Sequence, residues 1–126
     1  MKGNFLKLAM MFVFVVSCSD KSKYSMISAT KEINFGTIHS NEKISKVFKI
    51  KNASANDLVI KNVKTSCGCT AAKLKDSVVK ENETLDLEVN FFASKEKIGK
   101  VKNSIVIEAN TSPIFTVLYL KGNVVD

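Results

Sequence analysis

The chain has 126 residues, enough for one ordinary hydrophobic core and not for two. Its formal net charge of +7 rests on lysine alone, since there is no arginine, and the lysines alternate with apolar residues as in Lys46-Val47-Phe48-Lys49-Ile50-Lys51. Such alternation describes a solvated strand face. Without the bidentate guanidinium it argues against specific nucleic-acid recognition.

In chain order, Lys2 and Lys7 make a short positive region, and Leu8 to Val16 is an unbroken apolar run of nine residues. A bilayer-spanning helix needs about 20, so the run fits the hydrophobic part of a secretory signal. Val15-Val16-Ser17-Cys18 closes it and resembles a bacterial lipobox. The resemblance implies cleavage before Cys18, a diacylglyceryl thioether on its sulfur and an acylated amine. Several acyl chains on one residue meet the requirement for stable anchoring. Residues 1–17 are therefore expected to be a lipoprotein signal peptide and Cys18 the lipidation site. The mature protein would be anchored in the bacterial envelope, at the periplasmic face or the cell surface. The alternative is an ordinary signal with an incidental cysteine. Removing residues 1–17 takes away Lys2 and Lys7 and leaves 109 residues with net charge +5. Residues 18–26, beginning Cys18-Ser19-Asp20-Lys21-Ser22-Lys23, are polar at first and without period, which predicts a flexible tether.

From Ile27 to the end the pattern is β. Ile33, Phe35 and Ile38 mark a first strand region broken by Gly36, and Lys43 to Lys51 a second. Asn52-Ala53-Ser54-Ala55-Asn56-Asp57 is a turn-rich loop, followed by a strand over Leu58 to Val63. After the turn Lys80-Glu81-Asn82-Glu83, Leu85, Leu87, Val89 and Phe91 alternate with Asp86, Glu88 and Asn90, a clear period of two. A polar loop from Ser94 to Gly99 leads to a strand over Val101 to Ala109. The turn Asn110-Thr111-Ser112-Pro113 leads to the last strand, Ile114 to Leu120, which Gly122 is expected to end. About seven short strands at intervals of roughly 8–12 residues indicate a β-sandwich of immunoglobulin-like type over residues 27–126. The chain has no tryptophan, so the antibody-type core is absent.

Three pieces in order, Phe35-Gly36-Thr37-Ile38, Phe48-Lys49-Ile50-Lys51-Asn52 and Thr65-Ser66-Cys67-Gly68-Cys69-Thr70, resemble the bacterial domain-of-unknown-function family 1573. Val89-Asn90-Phe91, Gly99 ahead of Ile105-Val106-Ile107, Asn110 and Leu120-Lys121-Gly122 agree with it, so the resemblance covers about residues 30–125. It implies an exported immunoglobulin-like domain, often on lipoproteins, with no assigned activity. Where the family usually has a Pro-Gly type turn, this chain has Glu81-Asn82-Glu83, and Asn suits the same turn.

The stretch Ser66 to Thr70 is the chemical focus, because with Cys18 lipidated Cys67 and Cys69 are the remaining cysteines. In a straight strand their Cα atoms would stand about 6.6 Å apart, too far for the Cβ spacing of a disulfide. Gly68 between them tolerates φ > 0 and predicts a tight bend that closes the gap. Three roles stay open: a structural clasp, a thiol–disulfide redox pair, or a soft-metal site for copper or zinc through two thiolates. Lys64 and Lys73 are the nearest cations in sequence. Metal ligands are scarce, with His39 the single histidine and Met26 the single methionine beyond the leader.

His39 is expected in an exposed turn, and no Gly-x-Ser-x-Gly elbow is present. Glu81/Glu83 and Asp86/Glu88 read as surface charge, and the sequons at Asn52, Asn82 and Asn110 carry no expected role. The function expected is that of a non-enzymatic binding or scaffolding module, needing no cofactor. Its partner would be an envelope protein or glycan, engaged through loops or by β-augmentation of an edge.

Overall fold

The computed structural model describes residues 13–17 and 23–126. Cys18 and most of the expected signal lie outside the described residues, and Val13 to Ser17 are exposed without regular structure. Among the described residues no helix is long and apolar enough to cross a membrane, which says nothing of a β-barrel.

Among the described residues nine strands are present: β1 (Ile27–Ser28), β2 (Glu32–His39), β3 (Lys43–Asn52), β4 (Leu58–Thr65), β5 (Thr70–Leu74), β6 (Val78–Val79), β7 (Thr84–Phe92), β8 (Gly99–Ala109) and β9 (Phe115–Val125). A 3-10 turn at Lys95–Lys97 precedes β8. β1 and β6 have two residues each, which leaves seven of ordinary length. They form two sheets, β1-β3-β7-β5 and β2-β9-β8-β4-β6, antiparallel except where β2 runs parallel to β9.

The side-chain period builds the core. On β7, Leu87, Val89 and Phe91 point inward and are fully buried, and Asp86, Glu88 and Asn90 alternate with them. They meet Phe48 and Ile50 of β3 on the same sheet and Ile105, Ile107, Leu118 and Leu120 from the other. Burying each such side chain contributes about 1.5–3 kcal/mol.

Two pieces of the sequence pattern meet in this packing. Gly36 sits at φ +80 in a bulge that shifts the β2–β9 register between Asn34 and Thr37, and its N–H donates to Asn34 Oδ1 at 2.8 Å. The Phe35 ring stacks on Phe91, with centroids 5.4 Å apart, and lies over Gly122. A Cβ on Gly122 would stand 2.2 Å from that ring. Gly122 does not end the last strand as expected. β9 continues to Val125, because β2 and β8 pair it on both sides beyond the glycine.

Other expectations change as well. His39 is exposed, yet it is the last residue of β2 rather than part of the turn, and its backbone N–H donates to Glu42 Oε2 at 2.9 Å. β5 carries too little apolar alternation to announce itself. Asn82 takes the left-handed conformation (φ 60) in the turn closed by Glu83 N–H to Lys80 O at 3.0 Å. Ser25, grouped by the sequence with the tether, is 1% exposed and donates its hydroxyl to Asp57 O at 2.8 Å.

Strands running end to end collect the loops at two poles. At one, Ser25 N–H donates to Asn110 O (3.0 Å) and Ala53 N–H to Met26 O (2.9 Å). At the other, Ser40 N–H donates to Val125 O (2.7 Å), Ala93 N–H to Glu42 O (2.9 Å) and Phe92 N–H to Cys69 O (3.0 Å). β3 spans the distance between them, pairing Lys51 with Thr84 near one end and Lys43 with Phe92 at the other.

Candidate functional site

The cysteine stretch is where the chain leaves one sheet for the other, since β4 belongs to the five-stranded sheet and β5 to the four-stranded one. Cys67 and Cys69 are bonded as a disulfide, and their Cα atoms stand 5.2 Å apart. The approach comes from a β-turn over Cys67 to Thr70, closed by Thr70 N–H to Cys67 O at 3.1 Å. Gly68 is exposed, outside the left-handed region, and an added Cβ there would meet nothing within 4 Å. The expected reliance on positive φ is therefore corrected: a turn with ordinary dihedrals brings the sulfurs together.

Flanking residues of the stretch hold this turn, together with Asn103, which the sequence did not single out. Thr65 Oγ1 donates to Cys67 O (3.2 Å) and Thr70 O (2.9 Å), spanning both ends. Asn103 Nδ2 donates to Thr70 Oγ1 at 2.9 Å, both residues being buried, and stands 4.0 Å from Cys69 Sγ. The Ser66 hydroxyl accepts from Ser104 N–H at 3.0 Å, and Ser66 N–H donates to Ser104 O at 3.0 Å. The signal for Asn103 was available: it is a polar residue at an inward position of the alternation Val101, Asn103, Ile105, Ile107.

The other named residues do not converge here. Met26 belongs to the opposite pole, where its carbonyl accepts from Ala53 N–H. The His39 ring nitrogen Nδ1 is 3.2 Å from Asp126 O. Among the described residues no group of three or more His, Cys, Asp or Glu side chains is placed to hold a metal ion. The Asn52 side chain is fully buried, with Nδ2 donating to Asn56 O (2.7 Å) and Val79 O (2.9 Å), so this sequon is closed to a glycan in the folded chain.

Open concavities flank the sandwich, and two of them bear on binding. One, of about 490 Å³, lies between β4 and β5 and is floored by Val63, Ala72 and Leu74, which pack against the core and stay half-exposed. β5 is the outer strand of its sheet. Because Phe92 N–H donates to Cys69 O and hydrogen-bonded pairs alternate along antiparallel strands, Ala71 and Lys73 turn their peptide groups to β7, whereas Ala72 and Leu74 turn theirs outward. The other, of about 520 Å³, lies on the outer face of the five-stranded sheet among Asn34, Lys100, Lys102, Lys121 and Asn123. Its charge is partly spent internally. Lys121 donates to Glu32, which holds that carboxyl below its ordinary value, and Lys102 Nζ sits 4.4 Å from the centroid of the Tyr119 ring.

The fold has known relatives in three dimensions. A crystal structure of a protein of unknown function from Porphyromonas gingivalis W83 is similar with TM-score 0.74 at 14% identity, covering 86% of this chain and 51% of that one. The chain thus spans about half of that protein's length. The ASH / PapD-like domain of human CEP192 (PapD-like domain 7) is similar with TM-score 0.67 at 11% identity, covering 89% and 94%. The secreted serine protease VesC from Vibrio cholerae is similar with TM-score 0.63 at 13% identity, covering 79% of this chain and 23% of the protease. At these identities the likeness establishes the β-sandwich alone. No curated protein matches the chain. Residues 26–124 match the family model described as protein of unknown function (DUF1573), and with nearly the whole sandwich inside that match the chain belongs to this family.

Proposed function

We propose that this protein is a lipid-anchored module of the bacterial envelope that binds or scaffolds another envelope component without catalytic turnover. The β5 edge carries this reading. An extended segment of a partner protein laid along β5 would pair with the outward peptide groups of Ala72 and Leu74. Its alternate side chains would enter the cleft floored by Val63. Envelope location and anchoring are drawn from the lipobox resemblance ending at Cys18. A photo-crosslinking residue at Lys75, beside the cleft, tests the reading in intact envelopes. Discrete adducts that vanish with Ala72→Pro, which removes an outward N–H from an edge strand where proline is tolerated, support it. Adducts absent from Lys75, or indifferent to Ala72→Pro, count against it.

The rival reading is thiol–disulfide exchange through Cys67 and Cys69. It is favoured by the exposure of Gly68 and the partial exposure of both cysteines. Equilibration with glutathione separates the two. A reduction potential below about −300 mV marks a structural bond, and a value near the glutathione couple marks a redox centre.

A further inference from the structure

We propose that the pole where the chain enters the sandwich is a bilayer-contact surface, with Met26, Ile114 and Phe115 lowered into the headgroup layer. The inference rests on the lipid-anchor reading above and names the surface that reading leaves unspecified. Tyr24 (48%), Met26 (62%), Ile114 (52%) and Phe115 (57%) stand exposed at this pole. Met26, Pro113 and Phe115 line one shallow concavity of about 250 Å³ together with Lys31. Their exposure is built in, because the backbone beneath them is pinned. Ser25 is buried on Asp57 O, Val59 N–H donates to Asn110 Oδ1 at 2.8 Å, and Thr111 Oγ1 donates to Pro113 O at 2.7 Å.

The occupant follows from chain length and charge. Seven residues carry the chain from Cys18 to Ser25, at most about 25 Å when fully extended, so the membrane holding the lipid is within reach of this pole. Lys23, two residues before Ser25, and Lys31 in the lining of the concavity add positive charge near the apolar side chains, the composition that suits an interface with anionic headgroups. Asp57, in the loop that anchors Ser25, is paired with Lys80 at 3.0 Å. Phe92 and Ile98 are also exposed, but they belong to the far pole, a strand length of about 30 Å away. Contact at the entry pole would stand the sandwich upright and present the Cys67–Cys69 turn away from the lipid.

The absence of tryptophan makes a clean test available. F115W is made in the full chain, processed and lipidated in the cell, and reconstituted in phosphatidylethanolamine–phosphatidylglycerol vesicles containing acyl-brominated lipid. The expected result is a blue shift with loss of most of the emission. F92W at the far pole should keep its emission, and adding I114D to F115W should restore emission while the protein still floats with the vesicles. An F115W reporter that stays bright on floating vesicles overturns the contact and leaves the anchor intact. Equal quenching of F92W overturns the orientation, and with it the proposal. A blue shift without quenching that grows with surface density assigns the pole to a second copy of the chain instead. Protein that fails to float removes the anchor reading and this proposal together.

Discussion

Gly68 and Gly122 look alike in sequence and are opposites in structure. Gly68 lies in a turn with ordinary dihedrals, and a methyl group there would touch nothing within 4 Å. Gly68→Ala should therefore keep the disulfide, with a stability change within about 0.5 kcal/mol in urea unfolding and no free thiol on alkylation. Gly122 lies under the Phe35 ring, and a methyl group there would stand 2.2 Å from a ring carbon. Gly122→Ala has to displace an aromatic stacked on Phe91, and the expected cost in the same measurement is about 1–3 kcal/mol. Neither outcome is legible from the sequence, because each depends on which atoms occupy the space where the Cβ would go. Glu32 is another residue-scale case. Its carboxyl is held below the ordinary value by Lys121, so what it contributes to stability is present above the unfolded value near 4.5 and fades as pH falls through the lowered one. As an exposed pair it is screened by salt, and a salt titration at neutral pH should show little change.

At the scale of elements, the crossover from β4 to β5 is held by a buried polar pair as well as by the disulfide. Asn103 on β8 and Thr70 on β5 bond to each other across the gap between the two sheets, at 2.9 Å. Removing one partner strands the other in a site with little access to water. Thr70→Val and Asn103→Leu should each cost about 1–3 kcal/mol, and the double variant should cost clearly less than their sum. A double-mutant cycle by chemical denaturation reads the coupling directly; additive losses would show that the pair does not join the sheets. The strands themselves were largely legible. β7 and β8 announce themselves by period two because each buries one face against the other sheet. β5 did not, since an edge strand over a shallow cleft needs only Ala72 and Leu74 partly buried, and β9 was cut short because Gly122 reads as a breaker until Phe35 is seen resting on it.

For the molecule as a whole, the Cys67–Cys69 bond closes a loop of three residues, so its effect on the unfolded chain is small, about 1.6 kcal/mol on loop-entropy grounds. The two-sheet core around Phe48, Phe91, Leu118 and Leu120 does most of the stabilising. The Cys67→Ser, Cys69→Ser double variant should keep its β circular dichroism and cooperative unfolding, with a thermal midpoint lowered by about 6–13 °C, as reductant should do to the native chain. Loss of the fold on reduction would instead make the disulfide the keystone of the crossover.

What the sequence determined by itself follows from short-range physics. The lysine-only charge and the alternation that buries one face of each long strand are properties of neighbouring residues, and the alternation was enough for an all-β sandwich of about seven strands. The family pattern could be read there too. Only the tertiary structure decided which residues meet. It set Phe35 on Gly122, Asn103 on Thr70 and Ser25 under Asp57, and it put the chain entry and the cysteine turn at opposite poles. The reason is that these contacts join strands far apart in the chain, and the pairing order of two sheets, with β2 running parallel to β9, is not encoded in any one strand's period.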